Sequence, residues 1–224
     1  MNRSRRKGFI WGSCLLLAFV LWTFMIQTVD VQPAGVHGTN VGFATVNTWF
    51  HRLTGVHMGI YTITDWLGLV PIAICLCFAA LGLVQLIRRR NLLKVDADIL
   101  LLGGYYILVI IGYLIFEMIP INYRPILIDG AMEASYPSST TLLVLSVMPT
   151  LTFQVNRRTA KPSPRRAAAA FALLFSAFMV LGRLVAGVHW LTDIIGAILL
   201  SAGLYSLYRA SVLWADGLKK EKKQ

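Results

Sequence analysis

A chain of 224 residues that is 57% hydrophobic, with a mean hydropathy of +0.66, is too apolar for an ordinary soluble domain. Its formal charge of +11 would suit a nucleic-acid partner, but the basic residues fall in clusters between long apolar runs, which excludes a continuous basic face. The three cysteines, Cys14, Cys75 and Cys77, lie inside apolar runs, which excludes a disulfide framework, and Cys75 and Cys77 point to different helix faces and make no metal site.

A membrane span needs roughly 20 apolar residues. Six stretches approach that length: about Phe9–Gln27, Leu67–Ile87, Ile99–Pro120, Thr140–Val155, Ala167–Val188 and Ile194–Tyr208. The expected fold is all-α, a polytopic membrane protein with six transmembrane helices in one bundle and a single domain over 1–224. The first run follows a basic stretch and precedes no clear small-x-small site, so it reads as an uncleaved signal anchor. With six spans both termini share one side. All Lys and Arg except Arg52, Arg124 and Arg183 then fall on that side: in 1–8, near 88–94, in 156–166 and in the basic tail 209–224. The positive-inside rule makes it cytoplasmic. The expected partners of these charges are anionic lipid head groups of the cytoplasmic membrane, not nucleic acid. The three remaining arginines and all four histidines lie on or near the outer side, so chemistry is expected at the outer face.

Residues 28–66 form the longest outer segment, with Pro33, Gly35, Gly38 and Gly42 marking loop. From Phe43 the apolar residues Phe43, Val46, Phe50 and Leu53 recur at helical spacing until Gly55, which predicts a short amphipathic helix in the interface. His51 and Arg52 read as its solvated polar face. The third span carries Gly103, Gly104 and Gly112, which permit close packing, and places Glu117 at its outer edge. An outer loop, Ile121–Tyr136, holds Asn122, Arg124 and Glu133. The fourth span opens at Pro137-Ser138-Ser139-Thr140-Thr141 and contains Pro149.

That opening has a physical use. A proline followed by hydroxyl residues at a helix start offers free N–H groups, side-chain hydroxyls and the positive end of the helix dipole, all of which favour an anion. A plain helix cap is the alternative. Between the last two apolar runs lies Gly182-Arg-Leu-Val-Ala-Gly-Val-His-Trp-Leu-Thr-Asp193. Ionisable residues there are expensive and mark a functional site by default. His189 and Asp193, four apart, are expected on one helix face, where Asp193 holds one imidazole nitrogen and leaves the other free. Gly187 suggests a bend that turns Arg183 and His189 into one pocket.

Arg124-Pro125, then Pro137-Ser138, then Arg183-x5-His189-x3-Asp193, in that order across helices, resembles the type-2 phosphatidic acid phosphatase superfamily. That superfamily includes lipid phosphate phosphatases, undecaprenyl-diphosphate phosphatases and vanadium haloperoxidases. The resemblance implies that His189 is a nucleophile forming a phosphohistidine and that Asp193 orients it. It implies that Arg124, Arg183, Ser138 and the Ser139 N–H hold the phosphoryl oxygens, with Thr140 beside them, and that no metal or other cofactor is required.

Three positions depart from the family's pattern. Glu117 stands where a lysine is usual and Gly182 where a serine is usual. Thr140 stands where a histidine usually protonates the leaving oxygen. The acid is therefore absent, supplied by Glu117 or Glu133, or unnecessary. The expected function is hydrolysis of a lipid phosphate or diphosphate, with a polyprenyl diphosphate as substrate, in the outer leaflet. The alternative is a non-catalytic relative that binds lipid phosphate. A transporter is disfavoured because the charged residues gather at one face and not at the midplane. Cysteines introduced at Thr39 and Lys222 test the orientation: in intact cells only position 39 should label from outside, and labelling at 222 would overturn it.

Overall fold

A computed structural model describes residues 3–221; Lys222 and Lys223 of the expected tail lie outside the described residues. Among the described residues the α-helices are eight: α1 (Arg3–Thr28), α2 (Ala44–Thr54), α3 (Met58–Leu67), α4 (Leu69–Arg89), α5 (Ala97–Met118), α6 (Ser139–Arg158), α7 (Pro162–Val185) and α8 (Leu191–Glu221). Short 3-10 turns stand at Val36–Gly38 and Leu92–Lys94. The all-α membrane fold expected from hydropathy is what forms. Among the described residues five stretches are long and apolar enough to cross a membrane: Arg6–Thr28, Met58–Arg89, Ala97–Met118, Pro162–Val185 and Leu191–Leu218.

The expected fourth span, Thr140–Val155, is a full helix, α6, but falls outside that set. Its apolar run is interrupted by residues the bundle needs inside. Thr140, Thr141, Ser146, Thr150 and Gln154 are all buried. Thr150 shares a 2.7 Å hydrogen bond with the Tyr106 hydroxyl, Gln154 donates to the Tyr208 hydroxyl at 2.6 Å, and the Tyr105 hydroxyl donates to the Ser146 carbonyl at 2.9 Å. Away from water such groups need partners within the protein, and of these five side chains the Ser146 hydroxyl is the one left without one. The outer surfaces of α1, α4, α5 and α7 are the reverse, with Leu17, Leu76, Ile107, Leu108, Leu173 and Leu174 exposed. This is the pattern of a lipid-facing belt.

Of the boundaries that differ from the sequence reading, three have a local cause. Residues 58–67 form α3 instead of loop, continued into α4 across Gly68, whose backbone is itself right-handed helical. α7 ends at Val185, three residues early, because the Ala186 N–H closes onto the Gly182 carbonyl and Gly187 then takes a left-handed φ of 71°. α8 runs on past Tyr208, alongside α1 and with no proline to stop it. The amphipathic helix over 43–54 forms as α2, with Val46, Trp49 and Leu53 exposed and Asn47 buried.

The main core lies between α1, α5 and α8, where Phe19, Ile26, Leu102, Tyr105, Val109, Ala197 and Leu200 meet Tyr136 from the loop before α6. At one end of the bundle a charge cluster ties four helices together. The buried Asp98 of α5 takes Arg157 at 3.1 Å and Arg158 at 3.3 Å from α6. Arg157 also reaches Asp216 of α8 at 2.7 Å, and Arg89 of α4 meets Asp96 at 2.7 Å. Asp98→Asn would leave two arginines without their shared counter-ion. Losing such partly buried pairing costs about 1–3 kcal/mol, so the thermal midpoint in detergent should fall by several degrees. An unchanged midpoint would mean that Asp216 and solvent, not Asp98, balance those charges.

Candidate active site

The opposite end of the bundle is built from three loops and the starts of α6 and α8. Loop 119–138 folds back on itself: the Arg124 N–H donates to the Glu133 carbonyl at 3.0 Å and the Ser135 N–H to the Asn122 carbonyl at 2.9 Å, around a turn at Asp129-Gly130. This pairing sets Arg124 beside Glu133, with Nε 3.0 Å from Oε2. The contact is an ion pair without hydrogen-bond alignment, so Nε and Nη1 of the buried Arg124 remain unpartnered. The Tyr136 hydroxyl anchors the end of the loop to Thr23 of α1 at 2.7 Å, and the Ser138 N–H donates to the Asp193 carbonyl at 3.2 Å.

Gly187 is required twice over. Its φ is left-handed, and a Cβ there would lie 2.0 Å from the Gly55 carbonyl oxygen. The 186–190 turn is held from α2 and from the residue before α3: His51 Nε2 donates to the Gly187 carbonyl at 3.1 Å, and the His57 N–H to the Ala186 carbonyl at 3.0 Å. The ring of His51 is thus not a solvated face but a strut of the site. Asn47 fastens the same region, donating to Gly42 at 2.8 Å and to Thr192 Oγ1 at 3.0 Å.

His189 lies in this turn, before α8 begins, so it does not share a helix face with Asp193 as its spacing suggested. Its Nδ1 meets the Ser135 carbonyl at 3.1 Å, while Asp193 Oδ2 stands off at 3.7 Å. Asp193 Oδ2 instead accepts the Trp190 N–H at 2.8 Å, capping the start of α8. A carbonyl can only accept, so Nδ1 carries the proton and Nε2 holds a free lone pair. Nε2 has no partner and the ring is buried. Burial, opposed by Asp193 but joined by Arg124 and Arg183, pushes the imidazole pKa down to about 4.

A polar cavity of about 230 Å³ opens onto the ring, lined by Tyr113, Glu117, Arg124, Glu133, Ser139 and His189 among others. A second, apolar groove of about 280 Å³ shares Tyr113 and Ser139 with it. This groove passes between Leu69 and Ile72 of α4, Val109 and Ile110 of α5, and Leu142 and Leu143 of α6. Five expected site residues therefore meet in one cavity: Arg124, Ser139, His189, Glu117 and Glu133. Ser138 does not line it. Its buried hydroxyl donates to Thr141 Oγ1 at 3.1 Å, in the first turn of α6. Arg183 is also set back, buried, donating to Thr140 Oγ1 and, at 3.1 Å, to Asp65 Oδ1. Its guanidinium lies 4.9 Å from the centre of the Tyr61 ring, and that of Arg124 lies 5.9 Å from the same ring. Tyr61, Asp65 and Tyr113 were not picked out from sequence. An acidic residue four after a tyrosine, next to an apolar run, was the available signal for the first two. Ser135 acts through its carbonyl, which no side chain announces.

Residues 112–215 match the PAP2 superfamily model, the family that the motifs resemble. The fold is similar to the crystal structure of the first transmembrane PAP2-type phosphatidylglycerolphosphate phosphatase from Bacillus subtilis, with a TM-score of 0.59 over 89% of this chain and 94% of that one, at 16% identity. No curated protein matches this chain.

The depressed histidine has a measurable consequence. Unfolded, the ring titrates near its ordinary 6.5; folded, near 4. Between those values the unfolded chain binds the extra proton, so stability is full above about pH 6.5 and is lost as pH falls towards 4. The thermal midpoint should drop across that window, and His189→Gln should flatten the drop. An equal slope in both proteins would refute the assignment.

Proposed function

We propose that this chain is a membrane lipid phosphatase of the PAP2 superfamily, hydrolysing a lipid phosphate or diphosphate at the outer face of the cytoplasmic membrane through a phosphohistidine on His189. The observation that carries the reading is the buried, unpartnered Nε2 of a neutral His189, in a residue that lines one cavity with Arg124, whose Nε and Nη1 also lack hydrogen-bond partners. Nε2 attacks phosphorus, and the bond to the lipid oxygen breaks with its electron pair on that oxygen. Arg124, the Ser139 N–H and the positive end of α6 stabilise the charge that gathers on the phosphoryl oxygens. The ring becomes cationic as the N–P bond forms. Asp193, 3.7 Å from Nδ1, then offsets that charge. Water attacks the phosphohistidine, releases inorganic phosphate and restores the imidazole.

The apolar groove supports a lipid as the substrate. It leads from the polar cavity between α4 and α5, where a hydrocarbon chain would replace exposed apolar surface. The basic ends of α4 and α6 lie away from the site, which supports an outward-facing cavity and cytoplasmic termini. Thr140 has no acid chemistry near neutral pH, and its hydroxyl is engaged by Arg183. Glu133 is the counter-ion of Arg124. Glu117 lines the cavity with no ion-pair partner among the described residues, and is the proposed proton donor when the leaving group needs one. A polyprenyl diphosphate would not need one, because its leaving group is a phosphate monoester with a second pKa near 6. Thr140 also motivates the second reading, a relative that binds lipid phosphate without cleaving it.

Phosphate release from lipid mono- and diphosphates in detergent decides between the two readings. The wild type should favour diphosphates, and His189→Ala should abolish turnover. Asp193→Asn should keep a residue of activity. A general acid contributes roughly 10²–10⁴-fold, so Thr140→His should raise monophosphate hydrolysis selectively and Glu117→Gln should lower it selectively. Equal cleavage of both classes, with Glu117→Gln harmless, would sink the leaving-group assignment. Full activity in His189→Ala would sink the mechanism, and no turnover of any lipid phosphate would leave the binder.

A further inference from the structure

The structure brings α3 under both arginines of the anion site, although nothing in the motifs points to that helix. Tyr61, Thr64 and Asp65 stand at i, i+3 and i+4 and therefore share one face of α3. Asp65 Oδ1 accepts from Arg183 Nη2 at 3.1 Å, and Thr64 Oγ1 lies 3.5 Å from Nη1. The Tyr61 ring lies under both guanidinium groups, at 4.9 Å and 5.9 Å. Gly182 makes the approach possible: a Cβ there would lie 2.7 Å from Thr64 Cγ2. The departure from serine at position 182 thus coincides with the close seating of α3 on α7.

We propose that Tyr61 and Asp65 are positioning residues that orient Arg183 and Arg124 towards a bound phosphoryl group. The proposal rests on the reading of these arginines as phosphate ligands. Arg183 is buried, and an isolated guanidinium in that setting is costly. Asp65 is its one carboxylate partner among the described residues. That carboxylate takes a single nitrogen and is itself 57% exposed, so solvent screens it while Arg183 Nε stays unpartnered. A full bidentate pair would hold the fork; this one aims it. The face of Tyr61 attracts both cations through its quadrupole and carries no charge that would compete with phosphate. One aromatic ring thereby holds two like charges close enough to act on one anion.

The test is vanadate binding to the purified full-length protein in detergent, measured by calorimetry, with the melting midpoint of each variant recorded. Tyr61→Phe keeps the ring and should bind within about twofold of wild type, whereas Tyr61→Leu should bind roughly tenfold more weakly, the scale of a desolvated cation–π contact. Asp65→Asn should weaken binding by a similar factor, and Asp65→Glu should recover most of the loss. Where a lipid phosphate is turned over, kcat/KM should follow the vanadate affinity. Wild-type affinity in both Tyr61→Leu and Asp65→Asn overturns the proposal. Equal losses in Tyr61→Phe and Tyr61→Leu overturn the role of the ring face, and tighter binding in Asp65→Asn makes Asp65 a competitor. If Asp65→Asn does not fold, the Tyr61 pair decides. Arg124→Ala and Arg183→Ala separate the two levels: weakened binding there with intact binding in the α3 variants rejects only the positioning role. Intact binding in the arginine variants rejects the phosphate site itself.

Discussion

The backbone of Gly187 passes so close to the Gly55 carbonyl that no side chain fits between them. Much of the outer end of the protein depends on that contact. It allows the chain to leave α7, make a left-handed turn and enter α8 within a few residues, presenting His189 to the Ser135 carbonyl. The same turn receives His51 and the His57 N–H on its carbonyls, so the segment between α1 and α4 becomes a brace instead of a free loop. A hydrogen bond from the ring to a backbone acceptor then sets the tautomer, and the tautomer sets which nitrogen is free.

The bundle meets the demands of an apolar surrounding by inversion. Large aliphatic side chains cover the outside of α1, α4, α5 and α7, while hydroxyls, an amide and phenols pair with one another around α6. A lipid-facing helix gains nothing from polar groups, whereas a central helix can carry them if each finds a partner. α6 is therefore both the least apolar of the long helices and the one whose N-terminus enters the candidate site. At the other end, charges that cannot stay bare are gathered into the Asp98 cluster.

The candidate site separates two kinds of arginine. Arg124 lines the cavity paired with Glu133, its Nε and Nη1 outside any hydrogen bond, while Arg183 is set back and already bonded to Asp65 and Thr140. A phosphoryl group reaching the cavity would meet Arg124, Ser139 and His189 directly, with Arg183 acting from behind, aimed by Asp65. The carboxylates Glu117 and Glu133 in the same wall make the cavity less positive than the motif arginines alone imply, and Glu117 occupies the very position where a lysine was expected.

Hydropathy alone determined that this is an all-helical membrane bundle, since runs near twenty apolar residues have few other uses. The spacing of Arg124, Pro137-Ser138, Arg183, His189 and Asp193 singled out loops that the structure gathers at one end of the bundle, because such residues are costly beside apolar runs. α3 was not legible: its polar residues are few and look like loop until tertiary packing shows that they face two arginines. The partner of His189 was not legible either. An i, i+4 spacing predicts contact only if both residues lie in one helix, and the Gly187 turn removes His189 from it, giving the ring a carbonyl that the sequence does not display. Residue types carried the kind of chemistry; only the tertiary structure decided the pairings, because hydrogen bonds to backbone and contacts between distant helices leave no local pattern.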